Sequence, residues 1–303
     1  MHEIKPYLSP GFLLDKYRID KLLGAGGFSL VYLAYHIPTK ARVVIKEYYP
    51  DGWAERMPGG RVNAVSDDLK TKYNLGIKRF FAEVSAVSKV DHPNIVRVSN
   101  VFRANNTLYM VMNYDEGQDL RFYVKKHRSK LTQKFLTSIF PPLLRGLQAF
   151  HDQGLLHLDI KPANILLLKK GAPLLLDFGA VQHFNVEGTT VQQQTLTLGY
   201  APIEQHRHSN LGPWTDVYSA GATLYSCVTG KAPPPAPHRL EKDKMSSPSR
   251  LFSRYSKKLL TGIEGALHMD YRKRPQSPLE LLDACFDKTD CTEDGYNTPV
   301  VTP

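Results

Sequence analysis

Cysteine and long hydrophobic runs are scarce in this 303-residue chain. The three cysteines, Cys227, Cys285 and Cys291, form neither a disulfide framework nor a paired zinc spacing. Cys285 and Cys291 could in principle form a disulfide, but we expect all three cysteines to be reduced structural thiols. No run reaches the roughly eighteen apolar residues that a spanning helix needs, and the first residues lack the apolar stretch of a signal peptide. These absences predict a soluble, cytoplasmic protein without a transmembrane segment, although delivery into another cell without a cleavable signal stays open.

The composition is that of an ordinary globular protein, with 42% hydrophobic and 22% charged residues. The length fits one large two-lobed unit or two small domains. The formal net charge of +10 favours an anionic partner such as a nucleotide or an acidic protein. The basic clusters at residues 125–128 and 272–274 are short and lack interleaved aromatic residues, so no nucleic-acid partner is expected. The oligomeric state cannot be read from these features.

Hydrophobic periodicity divides the chain near residues 113–117. Residues 17–46 predict a meander of three short strands, and residues 48–74 predict a long surface insertion. From Leu75 the period becomes helical, with Ile77, Phe80, Phe81, Val84 and Val87 on one face. Two more strands follow, and beyond Tyr114 the chain becomes predominantly helical.

A glycine-rich segment from Gly24 to Phe28 lies between two predicted strands. Glycine lets backbone amides approach phosphate oxygens, although a hairpin without a ligand explains this segment equally well. A dinucleotide fingerprint is disfavoured because the following residues predict a strand rather than a helix. Lys46 ends the next apolar strand and could bind phosphate, oriented by a helical carboxylate such as Glu83.

The most specific segment runs from His157 to Leu167, and Asp177-Phe178-Gly179 follows it. Phosphoryl transfer needs a carboxylate to accept a proton from the attacking hydroxyl and a lysine to neutralise the migrating group. It also needs an asparagine and a second aspartate to hold magnesium. Asp159, Lys161, Asn164 and Asp177 supply these groups in that order.

Taken together, these motifs resemble those of the eukaryotic-type (Hanks-type) serine/threonine protein kinases over roughly residues 15–286. The segments 46–50 and 199–205, with the long insertion, look like bacterial members. The resemblance implies an α+β, two-lobed protein kinase-like fold. In that fold a small antiparallel-sheet N-lobe has one main helix, and a larger C-lobe is mostly helical.

The resemblance also implies a division of the chain. Residues 1–14 would be an N-terminal extension and residues 15–286 the kinase domain. The N-lobe would cover residues 15–112, the hinge 113–117 and the C-lobe 118–286. Residues 287–303 are expected to form a disordered tail.

The implied activity is ATP- and Mg²⁺-dependent transfer of the gamma phosphate to protein serine and threonine hydroxyls, with autophosphorylation. Asp159 would orient or deprotonate the hydroxyl and Lys161 would stabilise the phosphoryl group. Asn164 and Asp177 would bind magnesium, and Lys46, held by Glu83, would position the phosphates of an ATP bound in the cleft. The remaining cofactor-binding candidates are Gly24, Ala25, Gly26, Gly27, Phe28, Val31, Ile45, Met112, Tyr114, Asp115 and Asp119.

The resemblance assigns structural roles to three further residues. Glu204 would pair with Arg274, and Asp216 would brace the catalytic loop. Lys161 and Thr197 resemble the residues found at these positions in the serine/threonine branch of the family rather than in the tyrosine branch.

Two other readings stay open at this point. A catalytically silent kinase-like scaffold would use the same fold, but it has no chemical need for Lys46, Asp159, Asn164 and Asp177 together. A kinase acting on small molecules would share the aspartate and asparagine geometry. The segment from Thr197 to Glu204 resembles protein-substrate machinery and speaks against that reading.

Leu158 stands where many family members have an arginine that pairs with a phosphorylated activation loop. A phosphate on that loop would therefore gain no charge-assisted hydrogen bond from this position. We expect alanine at Thr189, Thr190 and Thr195 to leave the rate of phosphate transfer almost unchanged. A loss exceeding roughly tenfold in a steady-state assay would contradict this expectation.

Overall fold

The structure, a computed structural model, describes residues 6–127, 131–169, 171–177, 181–183, 196–251 and 253–287. The chain divides into two compact units. The first comprises residues up to 91 together with 96–115, and the second comprises 92–95 together with the residues from 116 onward. Each unit is described by itself below.

The first unit is built on a six-stranded antiparallel sheet in the order β1-β2-β3-β4-β8-β7. A separate two-stranded hairpin, β5-β6, lies in the insertion that follows β4. The elements are β1 Leu13–Leu14, β2 Tyr17–Ala25, β3 Ser29–His36, β4 Ala41–Tyr48, β5 Ala54–Arg56, β6 Val62–Ala64, α1 Asp67–Val87, β7 Val98–Ala104 and β8 Thr107–Asn113.

Helix α1 begins at Asp67, eight residues before the start expected at Leu75. Its first two turns are mostly exposed and polar, so they carry little hydrophobic periodicity. Asp67 and Asp68 suit the positive end of a helix, which is the signal that marks the true start. Phe81 was expected on the buried face, but it is 52% exposed.

The insertion is anchored by a buried ion pair. Arg56 of β5 places Nη2 2.5 Å from Oε2 of Glu47, and the two side chains are 4% and 0% exposed. Tyr32 and Tyr109 donate hydrogen bonds to the same carboxylate, at 2.7 and 2.6 Å. Arg56 also donates to the carbonyl oxygen of Gly60 at 2.9 Å. The insertion is therefore part of the packed first unit rather than a loop loosely attached to its surface.

The second unit is mostly helical, with short strands near its start. Its elements are β9 Gly117–Asp119, α2 Leu120–His127, α3 Gln133–His151, β10 Leu155–Leu156, β11 Ile165–Leu168, β12 Pro173–Leu175, β13 Gln182–His183, α4 Ile203–His206, α5 Pro213–Thr229, α6 Ala236–Glu241, α7 Lys257–Ala266 and α8 Pro278–Cys285. These elements and the sheet of the first unit confirm the predicted α+β, protein kinase-like fold class.

The apolar faces of α3, α5, α7 and α8 form the core of the second unit. Cys227 and Cys285 are free thiols buried among them. Burial raises the pKa of Cys285 to about 12, so its thiol stays protonated and unreactive. Cys291 lies outside the described residues. Within the described ranges, no helix is long and apolar enough to cross a membrane.

We expect Arg56→Ala to lower the free energy of unfolding by about 3–5 kcal/mol, because it leaves the Glu47 carboxylate buried without its charge partner. The double variant Glu47→Gln, Arg56→Met should lose clearly less, since no charge is then stranded. Denaturant unfolding measures both values. Arg61→Ala, at an exposed arginine of the same insertion, is the control and should stay within about 0.5 kcal/mol of the parent. Equal losses in the Arg56→Ala and Arg61→Ala variants would contradict the anchoring role.

Candidate active site

The carboxylate of Asp159 is the centre of a compact polar cluster in the second unit. Lys161 Nζ donates to Oδ2 at 2.8 Å, and the Thr197 hydroxyl donates to Oδ1 at 2.9 Å. Lys161 Nζ also donates to Thr197 Oγ1 at 2.9 Å. Asn164 Nδ2 donates to Oδ2 and to the backbone carbonyl oxygen of Asp159, at 2.9 and 2.8 Å. Asp159, Lys161 and Asn164 thus meet at one point, together with Thr197.

The loop that carries Asp159 is held from beneath by the fully buried Asp216 of α5. The backbone N–H groups of His157 and Leu158 donate to Oδ2 and Oδ1 of Asp216, each at 2.8 Å. His151 Nε2 donates to Oδ2 at 2.8 Å. Burial alone would raise the pKa of Asp216, but the hydrogen bond and charge of His151, with further help from His157, lower it. This carboxylate therefore stays ionised and acts as the expected brace.

Leu158 adopts a left-handed backbone conformation, with φ 62°. Such a conformation is unfavourable for leucine unless neighbouring groups impose it. Asp216 fixes the N–H group of Leu158, and Gln205 Nε2 donates to its carbonyl oxygen at 2.7 Å. Its side chain is buried with Leu156, and Leu211 packs against the pair. The position at which many family members have an arginine is thus occupied by a leucine that belongs to a small apolar core.

His157 links this loop to the strand that precedes Asp177. The N–H group of Asp159 donates to Nδ1 at 3.3 Å, so Nε2 carries the proton and donates to the carbonyl oxygen of Leu176 at 3.1 Å. Burial lowers the pKa of His157 and outweighs the attraction of Asp216 and Asp159. The neutral imidazole is therefore the form that the fold requires.

Asn164 and Asp177 are brought together by the hairpin of β11 and β12. Ile165 pairs with Leu175, and the N–H group of Leu176 donates to the carbonyl oxygen of Asn164 at 2.8 Å. The amide nitrogen of Asn164 is committed to Asp159, which leaves its oxygen as the atom able to coordinate a metal. One amide oxygen and one carboxylate suit Mg²⁺, which takes few protein ligands and completes its shell with phosphate and water. These residues therefore fit a magnesium ion.

In the first unit, the glycine-rich loop forms the turn between β2 and β3. Gly24 and Ala25 end β2, and Gly24 to Gly27 are exposed. A Cβ atom added at Gly24 would meet nothing within 4 Å, so packing does not require glycine there. The open space suits backbone approach to a phosphate.

The insertion holds the tip of this loop from one side. The N–H groups of Tyr49 and Asp51 donate to the carbonyl oxygens of Phe28 and Gly27, each at 2.9 Å. The ring of Phe28 lies edge-on to Trp53, with ring centroids 5.5 Å apart. Lys72 of α1 places Nζ 3.8 Å from the centroid of the Trp53 ring.

Lys46 and Glu83 lie on facing surfaces of β4 and α1. Tyr48, two residues after Lys46 and on the same strand face, packs against Phe80 of α1 with ring centroids 5.7 Å apart. Glu83 follows Phe80 by three residues and so shares its helix face. Lys46 is 4% exposed and Glu83 is half-buried. Their direct pairing stays a prediction.

Ile45 is separated from the other predicted cofactor contacts by the alternation of the strand. Val31 pairs with Lys46 across β3 and β4, whereas Ile45 pairs with Tyr32 and Val111 on the opposite sheet face. Ile45 is completely buried there. Val44, which the sequence reasoning missed, shares the face of Lys46 and pairs with Met112. Ile45 therefore faces away from the predicted cofactor contacts, and Val44 is the better candidate for a cofactor contact.

The three remaining cofactor-binding candidates follow β8. Tyr114 is half-buried, with the guanidinium of Arg42 5.8 Å from its ring centroid, and Asp115 is exposed. Asp119 ends β9 in the second unit and accepts a hydrogen bond from the N–H group of Phe122 at 2.8 Å. Asp119 thus caps α2, a structural role in addition to its predicted contact with the cofactor.

Glu204 and Arg274 form the expected pair, buried and bidentate, with N to O distances of 2.6 and 3.1 Å. Phe178, Gly179 and the threonines at 189, 190 and 195 lie outside the described residues. Sequence reasoning missed Glu47 and Arg56. Two adjacent charged residues, Lys46 and Glu47, interrupt the otherwise apolar run from Val43 to Tyr49, and this was the available signal for Glu47.

Comparisons with known proteins bear on this geometry. The family model described as "Protein kinase domain" matches residues 17–286. The chain is 29% identical over 221 residues to "Probable serine/threonine-protein kinase PknB" of Lactococcus lactis, covering 72% of this chain and 32% of the relative. It is 30% identical over 224 residues to "Serine/threonine-protein kinase ATG1a" of Arabidopsis thaliana, covering 73% and 32%. The matched part spans about a third of each of these two relatives.

A solved structure, "PpkA-294 apo form", is also similar to this chain. It has a TM-score of 0.80 and 28% sequence identity, and the match covers 92% of this chain and 99% of that one. The resemblance read from the motifs is confirmed by these findings.

The buried neutral His157 predicts a loss of stability in mild acid. The unfolded chain takes up a proton near the ordinary pKa of 6.5, whereas the folded chain resists protonation. The stabilisation is therefore complete above that pH and is lost as the pH falls below it. We expect the free energy of unfolding of the native chain to fall between about pH 7 and 5.5, at no more than about 1.4 kcal/mol per pH unit from this residue.

Urea unfolding across this pH range should show a shallower slope for His157→Phe than for the native chain. His238→Gln, at an exposed histidine, is the matched control and should keep the native slope. Identical slopes for the native chain and His157→Phe would contradict the account.

Proposed function

This chain belongs to the protein kinase domain family, and from that premise we propose that it is a serine/threonine protein kinase. It transfers the gamma phosphate of ATP, with Mg²⁺, to serine and threonine hydroxyls of proteins, including its own. Its similarity to bacterial and plant serine/threonine-protein kinases supports this proposal.

The observation that carries the proposal is the environment of the Asp159 carboxylate. One of its oxygens already accepts a hydrogen bond from an aliphatic hydroxyl, that of Thr197. The other oxygen accepts from the ammonium group of Lys161. An incoming serine or threonine hydroxyl would take up the same kind of contact with Asp159, which orients it and accepts its proton as the phosphoryl group is transferred.

Lys161 places its positive charge beside the carboxylate, where it offsets the negative charge of a migrating phosphoryl group. Asn164 and Asp177 would hold magnesium, which when bound neutralises phosphate charge. In the first unit, the Gly24 to Phe28 loop would contact the phosphates through its backbone, and Lys46 would bind them by charge. Val44 replaces Ile45 among the proposed contacts because it shares the face of Lys46.

Removing the Asp159 carboxylate should abolish most of the transfer. We expect Asp159→Ala to lower kcat by roughly 10²–10⁴-fold, the range typical of a lost general base, while ATP binding persists. Transfer of labelled gamma phosphate from ATP, both to the chain itself and to a generic protein, measures this. Asp283→Asn, at an exposed aspartate of α8, is the matched control and should keep native activity.

Each other outcome assigns a different function. ATP binding without transfer, unchanged by Asp159→Ala, would favour a silent scaffold. Loss of transfer to every protein, while a metabolite is phosphorylated, would favour a kinase of small molecules. Phosphoamino-acid analysis of the labelled product separates serine and threonine from tyrosine, and labelled tyrosine alone would contradict the proposal.

A further inference from the structure

A cavity of about 520 Å³ lies beside the candidate catalytic residues, entirely within the second unit. Its position is fixed by two of its lining residues. Pro162 directly follows Lys161, and Tyr200 follows Thr197 by three residues. Both neighbours belong to the polar cluster around Asp159. A segment of chain that presents a hydroxyl to Asp159 would therefore pass this cavity.

The chemistry of the lining is basic and apolar. Arg121 and Lys125 of α2 supply two positive charges, and Val124 and Ala232 supply apolar surface. The described lining contains no acidic residue. The hydroxyl of Tyr200 lies within hydrogen-bond distance of Ser226 Oγ, at 2.9 Å. This contact fixes the ring of Tyr200, which forms one side of the cavity.

The positive charge of Arg121 is not explained by the stability of α2. It lies in the first turn, where the helix dipole disfavours a cation. Lys125 is four residues further on and on the same face, and like charges at this spacing destabilise a helix. Asp119 offsets this only weakly, because its Oδ2 is 3.6 Å from Arg121 Nη2 and the arginine side chain is 70% exposed. Lys125, Lys126 and His127 all lie in the last turn, where the negative end of the helix favours cations, so Arg121 is the charge that the helix dipole does not favour.

We propose that this cavity binds acidic side chains that flank the accepting serine or threonine in the protein substrate. The proposal rests on the kinase activity proposed above and names the substrate class for it. Arg121 and Lys125 are the specificity-determining residues. The C-terminal end of α5, at Thr229 and Gly230, carries negative partial charge and repels acidic groups. The acidic side chains therefore bind on the side of the cavity formed by α2.

The first test compares two serine peptides that differ only in having glutamate or glutamine around the serine. We expect the native chain to prefer the glutamate peptide in kcat/KM by between about twofold and thirtyfold, as two exposed ion pairs allow. The preference should reside in KM rather than kcat and should shrink as ionic strength rises.

The double variant Arg121→Glu, Lys125→Glu should lose this preference and favour a third peptide that carries lysine in the same places. Lys126→Glu makes the same charge change on the same helix but outside the cavity lining, and it should behave as the native chain. A native chain without charge preference would overturn the proposal. So would an equal effect of Lys126→Glu, which would indicate a general attraction to a basic helix.

A binding measurement separates this proposal from the kinase activity itself. A fluorescent glutamate peptide with alanine in place of serine is titrated with the full chain, and its anisotropy is followed. Tighter binding to the native chain than to the double variant, without transfer to any substrate, would retain the cavity proposal and contradict the kinase. Transfer with no charge-dependent binding would contradict the cavity proposal alone.

Discussion

The geometry of the candidate active site depends on one buried carboxylate, that of Asp216. It accepts hydrogen bonds from two consecutive backbone N–H groups and from His151. Leu158 is the second of these donors, and its left-handed conformation turns the chain directly after the two amides. That turn presents Asp159 to Lys161, Asn164 and Thr197. The strain at Leu158 is therefore maintained by Asp216 and Gln205, which accept from and donate to its backbone groups.

In the first unit, a second buried carboxylate holds the elements that carry the predicted phosphate-binding residues. Glu47 follows Lys46 directly but faces the opposite side of the sheet, where Arg56, Tyr32 and Tyr109 surround it. The same insertion that supplies Arg56 also fixes the carbonyl oxygens of the glycine-rich loop. The insertion thus connects two predicted phosphate-binding features, the loop and the lysine strand, through contacts inside one unit.

The proposed catalytic residues could be selected from the sequence because they lie close together along the chain. Asp159, Lys161 and Asn164 span six positions, and their residue types are dictated by the chemistry. The roles of Glu204, Arg274 and Asp216 came from the resemblance, and their contacts are present in the structure. The start of α1 was misplaced because exposed helical turns carry no hydrophobic period.

Other features depend on pairing between distant residues, which no local pattern encodes. Arg56 reaches Glu47 only because the β5-β6 hairpin folds back onto the sheet. The choice between Ile45 and Val44 depends on strand register, which shifts a side chain from one face to the other with each residue. The cavity between α2 and α5 is lined by residues more than a hundred positions apart, so its charge pattern becomes apparent only in the fold.

Replacing Asp216 by asparagine tests the central claim most directly. Asparagine keeps the shape but offers one acceptor oxygen, so it cannot satisfy the N–H groups of both His157 and Leu158. The account predicts that Asp216→Asn lowers kcat for phosphate transfer by about a hundredfold, since displacement of a positioned group by 1 Å can cost that much. Faster hydrogen exchange at the Leu158 amide should accompany this loss, while ATP binding persists. Transfer within about threefold of the native rate, with unchanged exchange at Leu158, would contradict the claim that this carboxylate holds the catalytic loop.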